Sequence, residues 1–188
     1  MKLICGLGNP GAEHAGDRHN AGYLVVDRLA ARLGVALDMA KFDARVGTGR
    51  LGAERVLLLE PETYMNLSGE AVAAAARFYK VAPADVLVVH DELDLPFGRM
   101  QLKSGGGTAG HNGLRSIVAC LGEDGFGRLR MGVGKPEGKE RTVGHVLSGF
   151  SLEERTVLPE LLERAADAAV GWATLPLSLA MTRFNRKD

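Results

Sequence analysis

The sequence predicts an α/β protein: a twisted, mixed and mostly parallel sheet surrounded by helices, built as one domain over residues 1–188. Two observations carry this expectation. Short apolar runs closed by Gly, Asn or His-Asp alternate with stretches whose apolar residues recur at helical spacing. The length suits one hydrophobic core, and no repeat, linker or low-complexity tract divides it.

Lys2–Leu7 is an apolar run closed by Gly8-Asn9-Pro10-Gly11, which reads as a strand and a turn. From about Asn20 to Leu33, Leu24, Val25, Leu29 and Leu33 keep helical spacing, and Gly34 is a natural stop. Arg45–Leu59 holds two β-rich runs around Leu51-Gly52-Ala53, a hairpin pattern. The Ala-rich stretch Asn66–Tyr79 predicts a helix, and Val86–Val89 a buried strand ending at His90-Asp91. Met100–Lys103 is a further strand candidate, followed by the loop Ser104–Gly110 and a helix from Asn112 to Leu121. Leu129–Val133 alternates as a strand does. Ser151 and Glu154 form an S-x-x-E capping box that opens a helix to about Val170, and a last helix covers Leu177–Asn185.

The composition bounds the chemistry. Aromatics are 5% of residues, so Leu, Val and Ala must build the core, and the 25 glycines read as backbone devices. Net charge is zero, yet residues 99–141 hold eight Lys/Arg against four Asp/Glu. A neutral chain with one basic segment is compatible with nucleic-acid binding. Cys5 and Cys120 lack CxxC spacing and read as core residues. Met1-Lys2 leads straight into the first strand without a signal peptide, and no apolar run reaches membrane-spanning length. A cytoplasmic protein with no membrane association is expected.

In an α/β sheet, ligands gather at the carboxyl ends of the strands. Such ends here carry Asn9, His19-Asn20, Asp91 and Asn66, with Asn112 after the glycine loop. There is no G-x-S-x-G, no HExxH and no Cys/His cluster, and the five histidines show no metal spacing. What remains is a histidine, a carboxylate and amides. An imidazole held by Asp91 would be fixed in one tautomer and made more basic, able to take a proton from water attacking an ester. An asparagine NH2 can donate to the oxyanion that develops. Each residue also has a plainer reading. His19 could be a surface residue at a helix start, Asp91 a cap of the Glu92-Leu93-Asp94 turn, Asn9 ordinary turn chemistry, and Asn66 and Asn112 helix N-caps.

Gly105-Gly106-Gly107 and Gly110-His111-Asn112-Gly113 could cradle phosphate on backbone N–H groups. Neither a Walker A motif nor a dinucleotide fingerprint is present, so no nucleotide cofactor is expected. Lys103 and Arg130 could grip a phosphate as point charge and fork, or be solvated cations.

Five ordered blocks then stand out: Gly6-Leu7-Gly8-Asn9-Pro10-Gly11, Arg18-His19-Asn20-Ala21-Gly22, Tyr64-Met65-Asn66-Leu67-Ser68-Gly69, His90-Asp91-Glu92-Leu93-Asp94-Leu95-Pro96 and Gly110-His111-Asn112-Gly113-Leu114. Together they resemble the bacterial peptidyl-tRNA hydrolases over essentially the whole chain. The resemblance implies a monomeric, metal-independent esterase without cofactor, which frees tRNA from peptides dropped by stalled ribosomes. It also implies that His19 accepts the proton, Asp91 stabilises its basic form, and Asn9 distinguishes blocked from free aminoacyl groups. On the same resemblance Asn66 and Asn112 bind substrate, Tyr64, Met65 and His111 line the cleft, and Lys103 and Arg130 clamp the tRNA 5′-phosphate. Two positions depart from the family pattern. His14 stands where Tyr is usual and is expected to touch substrate; Asp17 replaces Thr and would either raise the pKa of His19 or face solvent. The rival readings are a non-enzymatic RNA-binding protein on the same fold and a small-molecule esterase. The joint presence of His19, Asp91 and the three asparagines favours the hydrolase.

Overall fold

The computed structural model describes residues 1–186. Seven strands are present among the described residues: β1 (Lys2–Gly6), β2 (Met39–Lys41), β3 (Ala44–Leu51), β4 (Glu54–Pro61), β5 (Val86–Glu92), β6 (Met100–Ser104) and β7 (Gly127–Gly132). They form one sheet in the order β2-β3-β4-β1-β5-β7-β6. The four neighbours β4, β1, β5 and β7 run parallel, while β3 and β6 pair antiparallel at either side. The mixed, mostly parallel sheet expected from the alternation is thus present. The helices are α1 (Ala21–Leu33), α2 (Ser68–Tyr79), α3 (Asn112–Leu121), α4 (Thr142–Val146), α5 (Leu152–Thr174) and α6 (Leu177–Phe184).

Both faces of the central strands are covered, which explains their unbroken apolar runs. One core layer joins Ile4, Leu58, Leu87 and Leu129 to α1 and α5; the other joins Leu3, Leu57, Val88 and Phe126 to α2 and α3. The Leu51–Ala53 hairpin forms as expected, with Gly52 at φ 63°. Other boundaries move. β5 runs through Asp91 to Glu92 rather than stopping at Val89, because β7 pairs with it to that point. α5 continues past Val170 to Thr174, burying Trp172 against the sheet. Cys5 is buried but Cys120 is exposed, a correction to the expectation for both. Leu114 and Ile117 carry the buried stripe of α3, and Cys120 lies off it.

The start of α1 is fastened to the sheet by direct backbone contact. Leu7 donates its N–H to the Val89 carbonyl at 3.0 Å, and Tyr23 donates to the Leu7 carbonyl at 3.2 Å. A Cβ on Gly22 would lie 2.2 Å from the Val89 oxygen and 2.4 Å from the Leu7 nitrogen. Only glycine permits this approach. Gly22→Ala is therefore expected to cost about 1–3 kcal/mol by forcing helix and sheet apart. Calorimetry checks this; an unchanged melting temperature would mean that α1 moves away freely. Among the described residues no helix is long and apolar enough to cross a membrane.

Candidate active site

The carboxyl ends of β1 and β5 adjoin, so the residues that follow them converge. Asp91 lies at the end of β5 and is 3% exposed. His19 sits on the 3₁₀ turn Arg18–Asn20 that leads into α1. Its Nδ1 lies 2.9 and 2.8 Å from the two Asp91 carboxylate oxygens. A second imidazole shares that carboxylate, with His111 Nε2 2.8 Å from Asp91 Oδ1. Because His111 Nδ1 accepts from the N–H groups of Gly113 and Leu114, its proton must be on Nε2 and point at Asp91. By the same logic the Nδ1–H of His19 donates to Asp91, leaving its Nε2 as a free acceptor.

Burial works to raise the pKa of Asp91, but the electrostatic attraction of His111 and the hydrogen bonds from His111 and His19 outweigh it and hold the carboxyl below its usual range. His90, directly before Asp91, is wholly buried. Its Nδ1–H donates to the Asp91 carbonyl at 2.8 Å, and its ring lies edge-on to His111 at 5.1 Å. Burial, then the electrostatic influence of the neighbouring His111 ring, lowers its pKa to about 3. It stays neutral where an unfolded histidine would already be charged. The folded state therefore loses stability as the pH falls from the unfolded value of about 6.5 toward 3, by up to about 1.4 kcal/mol per pH unit. His90→Leu should flatten this slope between about pH 6.5 and 4 in urea denaturation; a slope unchanged from the wild type over that range assigns it to another group.

Asn9, just beyond β1, is held at three points. Its N–H donates to Asn20 Oδ1 at 2.9 Å, its carbonyl accepts from Asn20 Nδ2 at 3.0 Å, and its Oδ1 accepts from the Met65 N–H at 3.0 Å. Met65 is buried and packs toward Gly113, while Tyr64 is 72% exposed. Asn66 follows on the same 3₁₀ turn with its side chain exposed. Asn112 lines a pocket together with His19, Asp91, His111 and Val143. Neither Asn66 nor Asn112 is an N-cap, which removes their plainer reading: Leu67 stands at the cap of α2, and His111 caps α3. Asp91 does not cap the following turn either, since Glu92 accepts the Asp94 N–H.

Of the two departures from the family pattern, Asp17 does not face solvent. Asp17 is buried, forms a β-bridge with Gly149, and accepts from His14 Nδ1 at 2.8 Å. It neither faces solvent nor bonds His19. His14 lies on the preceding turn, oriented by Asp17. Lys103 and Arg130 lie on β6 and β7, outside the His19 pocket, in strands paired Gln101 to Arg130 and Lys103 to Arg128. Arg130 donates from Nε to Glu92 at 2.8 Å and from Nη1 to Gln101. Burial, with the charges of Arg130 and Arg128, lowers the pKa of Lys103.

The pocket wall formed by Thr142, Val143 and Val146 had no signal in the sequence, because α4 has only five residues and no full apolar period. Arg18, in the sequence only one member of the second block, has a structural task as well. It donates to the His145 carbonyl, to Ser148 and to Glu154, tying the His19 turn to this wall. His19, Asp91 and His111 place three ligand-type atoms within 4.8 Å of one another, a grouping invisible in chain spacing. Each ring nitrogen in it is satisfied by a carboxylate oxygen.

Residues 3–188 match the family model described as peptidyl-tRNA hydrolase. The peptidyl-tRNA hydrolase of Cereibacter sphaeroides is 54% identical over 169 residues, spanning 90% of this chain and 75% of the relative. That of Synechococcus sp. is 49% identical over 190 residues, spanning 100% and 84%. The crystal structure of peptidyl-tRNA hydrolase from Acinetobacter baumannii matches with a TM-score of 0.94 at 41% identity, covering 100% of this chain and 96% of that one. The chain belongs to the peptidyl-tRNA hydrolase family of enzymes.

Proposed function

We propose that this chain hydrolyses the ester between a peptide and its tRNA, with His19 as general base and water as nucleophile. The carrying observation is the bond from His19 Nδ1 to Asp91, which leaves Nε2 free to accept. Water bonded to Nε2 gives up its proton as its oxygen attacks the ester carbonyl. The oxyanion takes a hydrogen bond from the Asn9 NH2, the free end of an amide whose oxygen is occupied by Met65. When the tetrahedral intermediate collapses, His19 returns the proton to the ribose oxygen of the departing tRNA. Asp91 favours the imidazolium that exists between these steps, and His111 keeps Asp91 ionised and oriented.

In this reading Asn66, Asn112 and Tyr64 receive the peptidyl end, and Met65 fixes Asn9. His14 meets substrate from the rim in the orientation set by Asp17. Lys103 and the remaining donors of Arg130 bind the tRNA 5′-phosphate. The enzyme acts as a cytoplasmic monomer, one domain across residues 1–188, without metal or cofactor.

The direct test compares N-acetyl-aminoacyl-tRNA with unblocked aminoacyl-tRNA in the presence of a chelator. Hydrolysis of the blocked substrate alone is expected. Binding without hydrolysis of either would favour an RNA-binding role instead. For the phosphate site, Lys103→Ala with Arg130→Ala should reduce the slope of log affinity against log salt by about 1–2. The double variant should also lose the difference between substrates with and without the 5′-phosphate. An unchanged slope would place the phosphate elsewhere.

A further inference from the structure

We propose that Asn20 is a positioning residue for this reaction, setting Asn9 in register with the general base. The inference rests on the hydrolytic reading above and extends it to a residue not assigned a role there. Asn20 is 1% exposed. It follows His19 directly and is the last residue of the 3₁₀ turn that carries the imidazole. Its backbone N–H is taken by the Asp17 carbonyl at 3.0 Å. Its side chain does not cap α1, the usual task of asparagine at that place. Instead both ends of the amide are spent on the backbone of Asn9, at 2.9 and 3.0 Å. A side chain thus imitates a strand neighbour, pairing the N–H and carbonyl of one residue.

The result is a chain of hydrogen bonds across three segments. Asn20 holds the backbone of Asn9, and the Asn9 side chain holds the Met65 N–H. The turn bearing His19, the loop after β1 and the turn bearing Asn66 are joined through amide groups, with Asn9 in the middle. Rotation of the Asn9 backbone would swing its NH2 away from the carbonyl. Removing Asn20 also leaves two backbone groups of Asn9 unpaired. A displacement of about 1 Å costs on the order of 100-fold in rate. Asn20 touches neither water nor ester in this arrangement and acts through Asn9.

The test is a four-point cycle in kcat and KM on N-acetyl-aminoacyl-tRNA, using the wild type, Asn20→Ala, Asn9→Ala and the double variant. Asn20→Ala is expected to lower kcat by about 10- to 100-fold with little change in KM. In the Asn9→Ala background the same change should cost less than about 2-fold, since the group it positions is gone. The acid limb of the pH–rate profile should stay where it is, because the His19–Asp91 pair is untouched. A merely structural role predicts losses that multiply across the cycle, and that result overturns the proposal. So does a rise in KM with kcat unchanged. If Asn20→Ala does not fold, Asn20→Asp, of the same shape and able to accept the Asn9 N–H but without the donor to the Asn9 carbonyl, carries the same cycle. A fast Asn9→Ala enzyme would remove the role of Asn9 in the proposed function. A slow Asn9→Ala enzyme beside a fast Asn20→Ala enzyme would remove only the present inference.

Discussion

His19→Ala should lower kcat on N-acetyl-aminoacyl-tRNA by about 10²–10⁴-fold, the range a positioned general base supplies. Binding of tRNA should change little, because Lys103 and Arg130 do not line the His19 pocket. The fold should survive as well. His19 is only partly buried and adds one hydrogen bond to Asp91 in a site otherwise built on β5 and α1. The measurement is single-turnover hydrolysis beside equilibrium binding of tRNA. Hydrolysis within a few-fold of the wild-type rate would sink the assignment of the base, and loss of both activities together would point to a folding defect instead.

Asp91→Asn is the second large effect expected. The change keeps the shape of the side chain and loses both its charge and one acceptor. Two imidazole N–H groups now converge on a group that can accept at only one atom, so one ring must turn or change tautomer. Turnover should fall by about 10²–10³-fold. Stability should respond to acid in a way that identifies the group. The Asp91 carboxyl is held below its ordinary range when folded. Its contribution is thus complete above the unfolded value of about 3.9 and is lost as the pH falls below that. The wild type should lose stability in this acid window more steeply than Asp91→Asn, and the difference should persist below about pH 3, where the His90 contribution has levelled off. Equal acid slopes for the two proteins would show that Asp91 is not ionised in the folded state.

Much of this arrangement was legible in the residues, for definable reasons. The apolar run before Gly8-Asn9-Pro10-Gly11, the Gly52 hairpin and the Ser151–Glu154 capping box each carry a local signal that survives in the fold. So does the placement of polar residues at the ends of β1 and β5. What escaped depends on partners distant in the chain. β2 has only three residues and exists because β3 pairs with it. β6 gave no sign of its antiparallel direction, which is set by its pairing with β7. The sharing of Asp91 by His111 joins residues 20 apart through a loop without periodicity. The burial of Asp17, which removes the solvent-facing alternative, depends on His14 and on a bridge to Gly149 far along the chain.

Arg18 and Glu154 have a consequence for the order of synthesis. Glu154 Oε1 accepts both the Ser151 N–H of its own capping box and the Arg18 guanidinium, 136 residues earlier in the chain. The backbone of Arg18 is likewise bound to the Ser148 carbonyl at 2.9 Å. The turn that presents the imidazole therefore gains its last anchors only when the segment around residues 145–154 has left the ribosome. Until then the nascent protein lacks the clasp that holds the His19 turn in place. An enzyme that cuts peptides from tRNA is thereby assembled late, after most of its own peptidyl-tRNA has been extended.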